Sequence, residues 1–289
     1  MILSDNIEQT HLKTDDRGLA YGDGLFETIA YTHAKLQNWP AHYQRLQQGC
    51  QQLSLHCPEE SELLTTISKE VENALSKQTE GQSINGVVKL ILTRGTGGRG
   101  YQYHPAQPQT LVISWKPWPD IPAEHYANGI EAGVCATRLA KQPLLAGIKH
   151  LNRLEQVLAK NELTDTAYAE GITLDYDDQL VEGTSSNLFF VVDGHLYTPV
   201  LDNCGVKGTL RALLLQTAKH YNIPVSEGSY VLDDLKAASE LFFTNSLVGI
   251  YPVSELTFSA NDHKVYTAKT IMHTLSKIIN RPLQRPVIN

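Results

Sequence analysis

Gly147-Ile148-Lys149-His150-Leu151-Asn152-Arg153-Leu154-Glu155-Gln156 joins a short apolar stretch to an amphipathic helix, with a lysine at the junction. A lysine at such a junction can act as a Schiff-base amine, because burial lowers the pKa of an ammonium and yields a neutral nucleophile. Taken alone, the segment fits a surface lysine at a helix start better. Positive charge is slightly disfavoured there by the helix dipole, so the placement is mildly informative.

The bulk properties narrow the field. The chain has 289 residues, 42% of them hydrophobic, enough for one large or two modest domains with their own cores. Its 24 Lys+Arg against 31 Asp+Glu give a net charge of −7, which argues against general nucleic-acid binding but not against one anion in a focused pocket. Cys50, Cys57, Cys135 and Cys204 show neither Cys-x-x-Cys spacing nor a zinc-like His/Cys cluster. They read as reduced thiols of a cytoplasmic protein. Met1-Ile2-Leu3-Ser4-Asp5 lacks a basic start and a long apolar core, so no signal peptide is expected there. No apolar run approaches the roughly 20 residues needed to cross a bilayer, so no membrane partner is expected.

The pattern predicts an α/β (α+β) two-domain protein. Residues 1–115 form a smaller N-terminal domain, 116–122 a linker, and 123–289 a larger C-terminal domain. The linker rests on Pro117, Pro119 and Pro122, since proline removes amide donors and favours extended backbone. In the first domain, 24–31, 87–93 and 110–115 read as strands. Pro40 opens a helix on which Tyr43, Leu46, Cys50 and Leu53 form the apolar stripe, with Arg45 beside it, and 59–76 is a second helix. In the second domain, strands are predicted at 130–137, 171–175, 188–192 and 240–244. A helix follows Lys149 with Leu151, Leu154, Val157 and Leu158 on one side, another follows Thr209, and a last one ends near Ile279.

Four further segments carry chemical character, each with a plain structural alternative. Glu182 lies in Leu180-Val181-Glu182-Gly183-Thr184-Ser185-Ser186-Asn187, where it is either a turn carboxylate or a partner for a basic ring nitrogen. Gly205-Val206-Lys207-Gly208-Thr209 is a glycine-bounded turn opening into a helix, either an ordinary cap or an anion site. Phe243-Thr244-Asn245-Ser246 places small polar groups at a strand end. Arg94-Gly95-Thr96-Gly97-Gly98-Arg99-Gly100-Tyr101 lacks the Gly-Lys-Ser/Thr ending of a Walker loop; it is a hairpin turn or a bidentate carboxylate clamp.

In this order the segments resemble the fold-type-IV pyridoxal 5'-phosphate (PLP) enzymes, which include branched-chain and D-amino-acid aminotransferases and aminodeoxychorismate lyases. The likeness runs over most of the chain. It includes Arg17-Gly18-Leu19-Ala20-Tyr21-Gly22-Asp23-Gly24-Leu25-Phe26-Glu27-Thr28 and His42-Tyr43-Gln44-Arg45-Leu46. The run from Lys149 to Leu158, together with the 93–101 loop, is most similar to the lyases. The 182–187 run is closer to the aminotransferase form and Glu27 is shared with aminotransferases, which leaves a branched-chain or D-amino-acid aminotransferase as the alternative.

The resemblance implies PLP as cofactor. It assigns Lys149 to the cofactor aldehyde and to catalysis, and Glu182 to the pyridine nitrogen. Arg45, the backbone of Val206 and Lys207, and Ser246 would hold the phosphate. It implies a small-molecule substrate, 4-amino-4-deoxychorismate, split into 4-aminobenzoate and pyruvate on the way to folate. That substrate has two carboxylates, for which Arg99 is the first candidate and Arg94 the second. It also implies a homodimer with its active site near the subunit boundary.

Overall fold

A computed structural model describes residues 1–4, 7–78 and 83–279. The chain divides into two compact units. Among the described residues, one comprises Met1–Pro119 and, unexpectedly, Ile148–Asn152; the other comprises Asp120–Gly147 and residues 153–279.

The first unit is built on a six-stranded sheet of β1 (Ile2–Ser4), β2 (Ile7–Gln9), β3 (Gly24–Thr32), β4 (Lys35–Leu36), β5 (Gly86–Thr93) and β6 (Thr110–Pro117). The strand order is β2-β1-β6-β5-β3-β4, and all pairings are antiparallel. A short helix, α1 (Arg17–Tyr21), leads into β3. Asp16 caps it by accepting the Gly18 amide, which fills one of the donors a helix start leaves open. Along β5, Val88, Leu90 and Leu92 are buried, and strand alternation puts them on one face. Two helices supply the matching apolar surface: α2 (Trp39–Leu53) packs on β3 and α3 (Glu60–Leu75) on β6. Leu63, Ile67 and Val71 recur at helical spacing and are buried together. Replacing Leu90 by alanine would cost about 2–5 kcal/mol through lost burial and a residual cavity.

Arg45 departs from the predicted stripe. It is buried with His42, Leu46 and Cys50, where the sequence reading places it beside the apolar face. A buried guanidinium is tolerated only with a partner, and Glu27 supplies one.

The second unit carries a nine-stranded mixed sheet. Its strands are β7 (Ile130–Leu139), β8 (Glu170–Asp175), β9 (Leu180–Gly183), β10 (Asn187–Val192), β11 (His195–Pro199), β12 (Val225–Gly228), β13 (Glu240–Asn245), β14 (Gly249–Ser259) and β15 (Asp262–Val265). The order is β12-β11-β10-β13-β14-β7-β8-β9, with β15 on β14. β8 and β9 are buried at every position although they carry Glu170, Thr173, Asp175 and Glu182, so these polar side chains need partners inside the fold. The helices are α4 (Glu124–Ala127), α5 (Leu154–Asn161), α6 (Thr209–His220), α7 (Leu232–Ala237) and α8 (Thr270–Ile278). α6 and α8 join Phe189, Val191 and Phe242 in a core that includes Leu210, Leu214, Met272 and Leu275. Phe190, Leu241 and Phe243 point into a second core with Ile130, Ile172 and Leu256.

The predicted helix after Lys149 starts later and faces differently. α5 begins at Leu154, and its apolar residues Leu154, Val157 and Leu158 are 77%, 50% and 61% exposed. Only Ala159 of α5 is buried. Among the described residues, no helix is long and apolar enough to cross a membrane.

Candidate active site

Lys149 sits in an extended segment against the start of β3. The Phe26 amide donates to Lys149 O at 2.9 Å, the Leu151 amide donates to Gly24 O at 3.0 Å, and His150 bridges Leu25. This ladder fixes the backbone on both sides of the lysine. The Lys149 Nζ lies 4.4 Å from the Phe26 ring centroid, a cation–π contact that orients the amine. The residue is half-buried and five positions before α5, so it is not a lysine on a helix start.

Strand alternation turns Glu27 to the face of β3 opposite Phe26, toward α2. Arg45 Nε donates to Glu27 Oε1 at 2.8 Å and Nη2 to Oε2 at 2.5 Å, while His42 Nδ1 lies 2.6 Å from Oε2. Burial alone would raise the Glu27 carboxyl; the Arg45 charge and the hydrogen bonds from His42 and Arg45 outweigh it and bring it down to about 2. Burial lowers the pKa of His42, against the opposing pull of Glu27. His42 and Arg45 are one turn apart, a spacing that brings both to one acceptor. The sequence reading gave neither Glu27 nor His42 a role, although that spacing was a usable signal.

In the second unit, Glu182 stands on β9 and meets the turn before α6 directly. The Val206 amide donates to Glu182 Oε2 at 2.9 Å. Asn187 Nδ2 reaches Val206 O at 2.8 Å and Glu182 Oε2 at 3.4 Å, and Asn187 Oδ1 accepts the Gly208 amide at 3.0 Å. Thr173 Oγ1 holds Glu182 O at 2.8 Å. The charge of Glu182 also acts on Arg153, whose pKa burial nonetheless lowers. The Lys207 amide donates to Gly147 O at 3.0 Å, two residues before Lys149 in the chain, and its ammonium pairs with Asp202. The two amides proposed for phosphate therefore have protein acceptors here. α6 itself starts without a side-chain cap.

Ser246 is half-buried in the turn between β13 and β14. Its neighbour Asn245 accepts the Leu247 and Val248 amides and donates to Ser185 O at 3.3 Å, which ties this turn to the 183–186 turn. Thr244 pairs in register with Asn187, so their side chains share a face. Thr244 Oγ1 is buried with no hydrogen-bond partner among the described residues. An orphaned hydroxyl beside an uncapped helix start fits a phosphate-bearing ligand.

The three hydroxyls after Gly183 have a separate duty. Glu170 is 4% exposed and accepts from the Thr184 amide at 3.0 Å, Ser185 Oγ at 3.0 Å and Ser186 Oγ at 2.9 Å, as well as from Thr184 Oγ1. Nothing in the sequence marks Glu170 for this role, because the contact joins separate strands.

The glycine-rich loop separates its two arginines. Arg94 is buried: Nε donates to Asp23 at 2.8 Å, Nη1 to Ser54 O at 3.1 Å and Nη2 to Leu53 O at 2.6 Å, with Tyr103 stacked 3.7 Å from the guanidinium carbon. Arg99 is exposed on the loop. Their spacing alone could not distinguish the buried residue from the presented one.

Residues 24–256 match the model of the Amino-transferase class IV family. The chain is 36% identical over 265 residues to an aminodeoxychorismate lyase of Vibrio harveyi, covering 92% of this chain and 94% of that protein. A D-alanine aminotransferase of Staphylococcus aureus is 29% identical over 87% of this chain and 86% of its own length. Among solved structures, the 4-amino-4-deoxychorismate lyase of Pseudomonas aeruginosa superposes with a TM-score of 0.82 at 39% identity, covering 96% of this chain and 98% of that one.

Proposed function

This chain belongs to the Amino-transferase class IV family, and we propose that it is a PLP-dependent lyase that converts 4-amino-4-deoxychorismate to 4-aminobenzoate and pyruvate. The observation that carries this reading is a likeness to aminodeoxychorismate lyases across almost the whole chain, closer than its likeness to the aminotransferases.

When bound, PLP supplies an electron sink for the carbon bearing the substrate nitrogen. Lys149 Nζ would be the amine that holds the cofactor by its aldehyde. As a free amine it removes the proton from that carbon and returns one to the departing enolpyruvate carbon. The backbone ladder to β3 holds this nitrogen in place for both transfers. Glu182 would hold a proton at the pyridine nitrogen; Thr173 fixes its backbone and Asn187 its carboxylate. Arg45, oriented by Glu27, serves the phosphate. Ser246 and the backbone of Val206 and Lys207 would serve it as well. The Val206 amide donates to Glu182 Oε2 at 2.9 Å, so holding phosphate there would require that bond to be exchanged. Arg99 takes a substrate carboxylate. Arg94, with its three nitrogens on protein acceptors, supports the loop that carries Arg99.

The protein acts as a cytoplasmic homodimer in this reading. The exposed Leu154, Val157 and Leu158 face of α5 supports a second copy as its cover, since soluble monomers rarely leave such a run of large apolar side chains in water.

The test is a stopped assay of the purified protein with enzymatically supplied aminodeoxychorismate. Equal amounts of pyruvate and 4-aminobenzoate support the lyase. Keto-acid-dependent transamination of branched-chain or D-amino acids without that release selects the aminotransferase alternative.

A further inference from the structure

We propose that Arg17, braced on Asp23, positions the 95–102 loop so that Arg99 is presented to a substrate carboxylate; this rests on the reading of Arg99 given above. Arg17 is 3% exposed, and every nitrogen of its guanidinium has a partner. Nε donates to Asp23 Oδ2 at 2.9 Å. Nη1 donates to Gly100 O at 2.9 Å and Gln102 O at 3.4 Å, and Nη2 to Tyr101 O at 2.8 Å. Three consecutive carbonyls, starting one residue after Arg99, thus converge on one cation.

Converging carbonyl dipoles repel one another, and a loop holds them inward only around a compensating charge. The planar guanidinium suits this place, because its fork reaches an acid on one edge and carbonyls on the other. An ammonium could hold some of these oxygens but not all. Asp23 Oδ2 also accepts Arg94 Nε at 2.8 Å, so one carboxylate oxygen joins the arginine inside the loop to the arginine at its base. The base is closed further: the Arg17 amide donates to Gly95 O at 2.9 Å, and Gln107 Nε2 donates to Arg94 O at 2.9 Å.

The glycines follow from this filling. A Cβ on Gly97 would stand 2.8 Å from Arg17 Cδ, so the loop passes the arginine stem only because residue 97 has no side chain. On Gly95, at φ +76°, a Cβ would fall 1.9 Å from Pro108 O. The loop whose sequence fits a hairpin turn or a carboxylate clamp has its inner side filled by a cation, and it offers Arg99 on its outer side.

Limited trypsin digestion of the PLP-loaded protein, with mass spectrometry of the cut at the Arg99–Gly100 bond, reads the loop directly and needs no activity. Arg17→Ala should speed this cut about 10- to 100-fold, the range expected for lost charge-assisted hydrogen bonds that restrain local opening. Arg17→Lys should fall between Arg17→Ala and wild type, and Asp23→Asn should also cut faster than wild type. In the lyase assay, Arg17→Ala should raise KM about tenfold, with a smaller loss in kcat. A wild-type cutting rate in Arg17→Ala overturns the proposal. If Arg17→Ala does not fold, a wild-type rate in both Arg17→Lys and Asp23→Asn overturns it equally. Faster cutting with unchanged KM would overturn the assignment of Arg99 to substrate and leave only the bracing of the loop. Faster cutting with raised KM, partly restored by lysine, supports the whole.

Discussion

Glu27 holds Arg45 through both carboxylate oxygens, at 2.8 and 2.5 Å, and neither side chain reaches bulk water. Breaking a buried ion pair by removing one charge typically costs about 3–5 kcal/mol. Glu27→Gln should therefore lower the thermal midpoint of the apo protein. It should also weaken PLP, measured by titrating the apo form, because Arg45 loses its orientation. An unchanged PLP affinity in a folded Glu27→Gln protein would remove Arg45 from the cofactor site.

The same cluster sets an acid limit on stability. The folded pKa of Glu27 is about 2 against an ordinary 4.5, so its contribution is full above 4.5 and is lost as pH falls toward 2. His42 is also lowered from 6.5; below that value the unfolded chain takes up a proton that the folded state resists, and stability again falls. Urea midpoints should hold steady above pH 7 and decline on acidification. Glu27→Gln should flatten the fall at the acid end. A midpoint independent of pH from 7 to 4 would contradict this.

Glu170 anchors the turn that follows Glu182 through Thr184, Ser185 and Ser186. Glu170→Ala strands the buried Thr184 and Ser186 donors and should cost on the order of 3 kcal/mol or more by chemical denaturation. Glu170→Gln keeps an acceptor and should cost less. Equal losses in the two variants would show that the carboxylate's hydrogen bonds are not what holds the turn.

The apolar face of α5 predicts an association defect. Leu158→Glu places a charge in the middle of the Leu154, Val157 and Leu158 patch. Sedimentation should show a dimer for wild type and a monomer for the variant. A monomeric wild type at micromolar concentration would refute the homodimer.

Much of the fold was legible because periodicity reports burial. β3, β5, β10 and the helices α2, α3, α6 and α8 lie within a few residues of their predicted spans. What failed depends on partners distant in sequence. The buried position of Arg45 follows from Glu27 on another element, and the Lys149 segment becomes a strand-like edge only because β3 offers it hydrogen bonds. The amphipathic reading of α5 was sound as chemistry, but its apolar side faces outward in the single chain. At the candidate site, Lys149, Glu182 and Arg99 could be singled out from the sequence by residue type and neighbours. The supports at Glu170, Asn187, Arg17 and Asp23 were not, since each acts through contacts that spacing does not encode.

The central claim is that the nitrogen at position 149 carries the PLP aldehyde. Borohydride reduction of the PLP-loaded protein, followed by proteolysis and peptide mass mapping, tests it most directly. The account predicts a pyridoxyl tag on the peptide containing Lys149, and loss of both tag and pyruvate formation in Lys149→Ala. A stoichiometric tag on any other lysine, or an untagged peptide from a fully loaded enzyme, would contradict it.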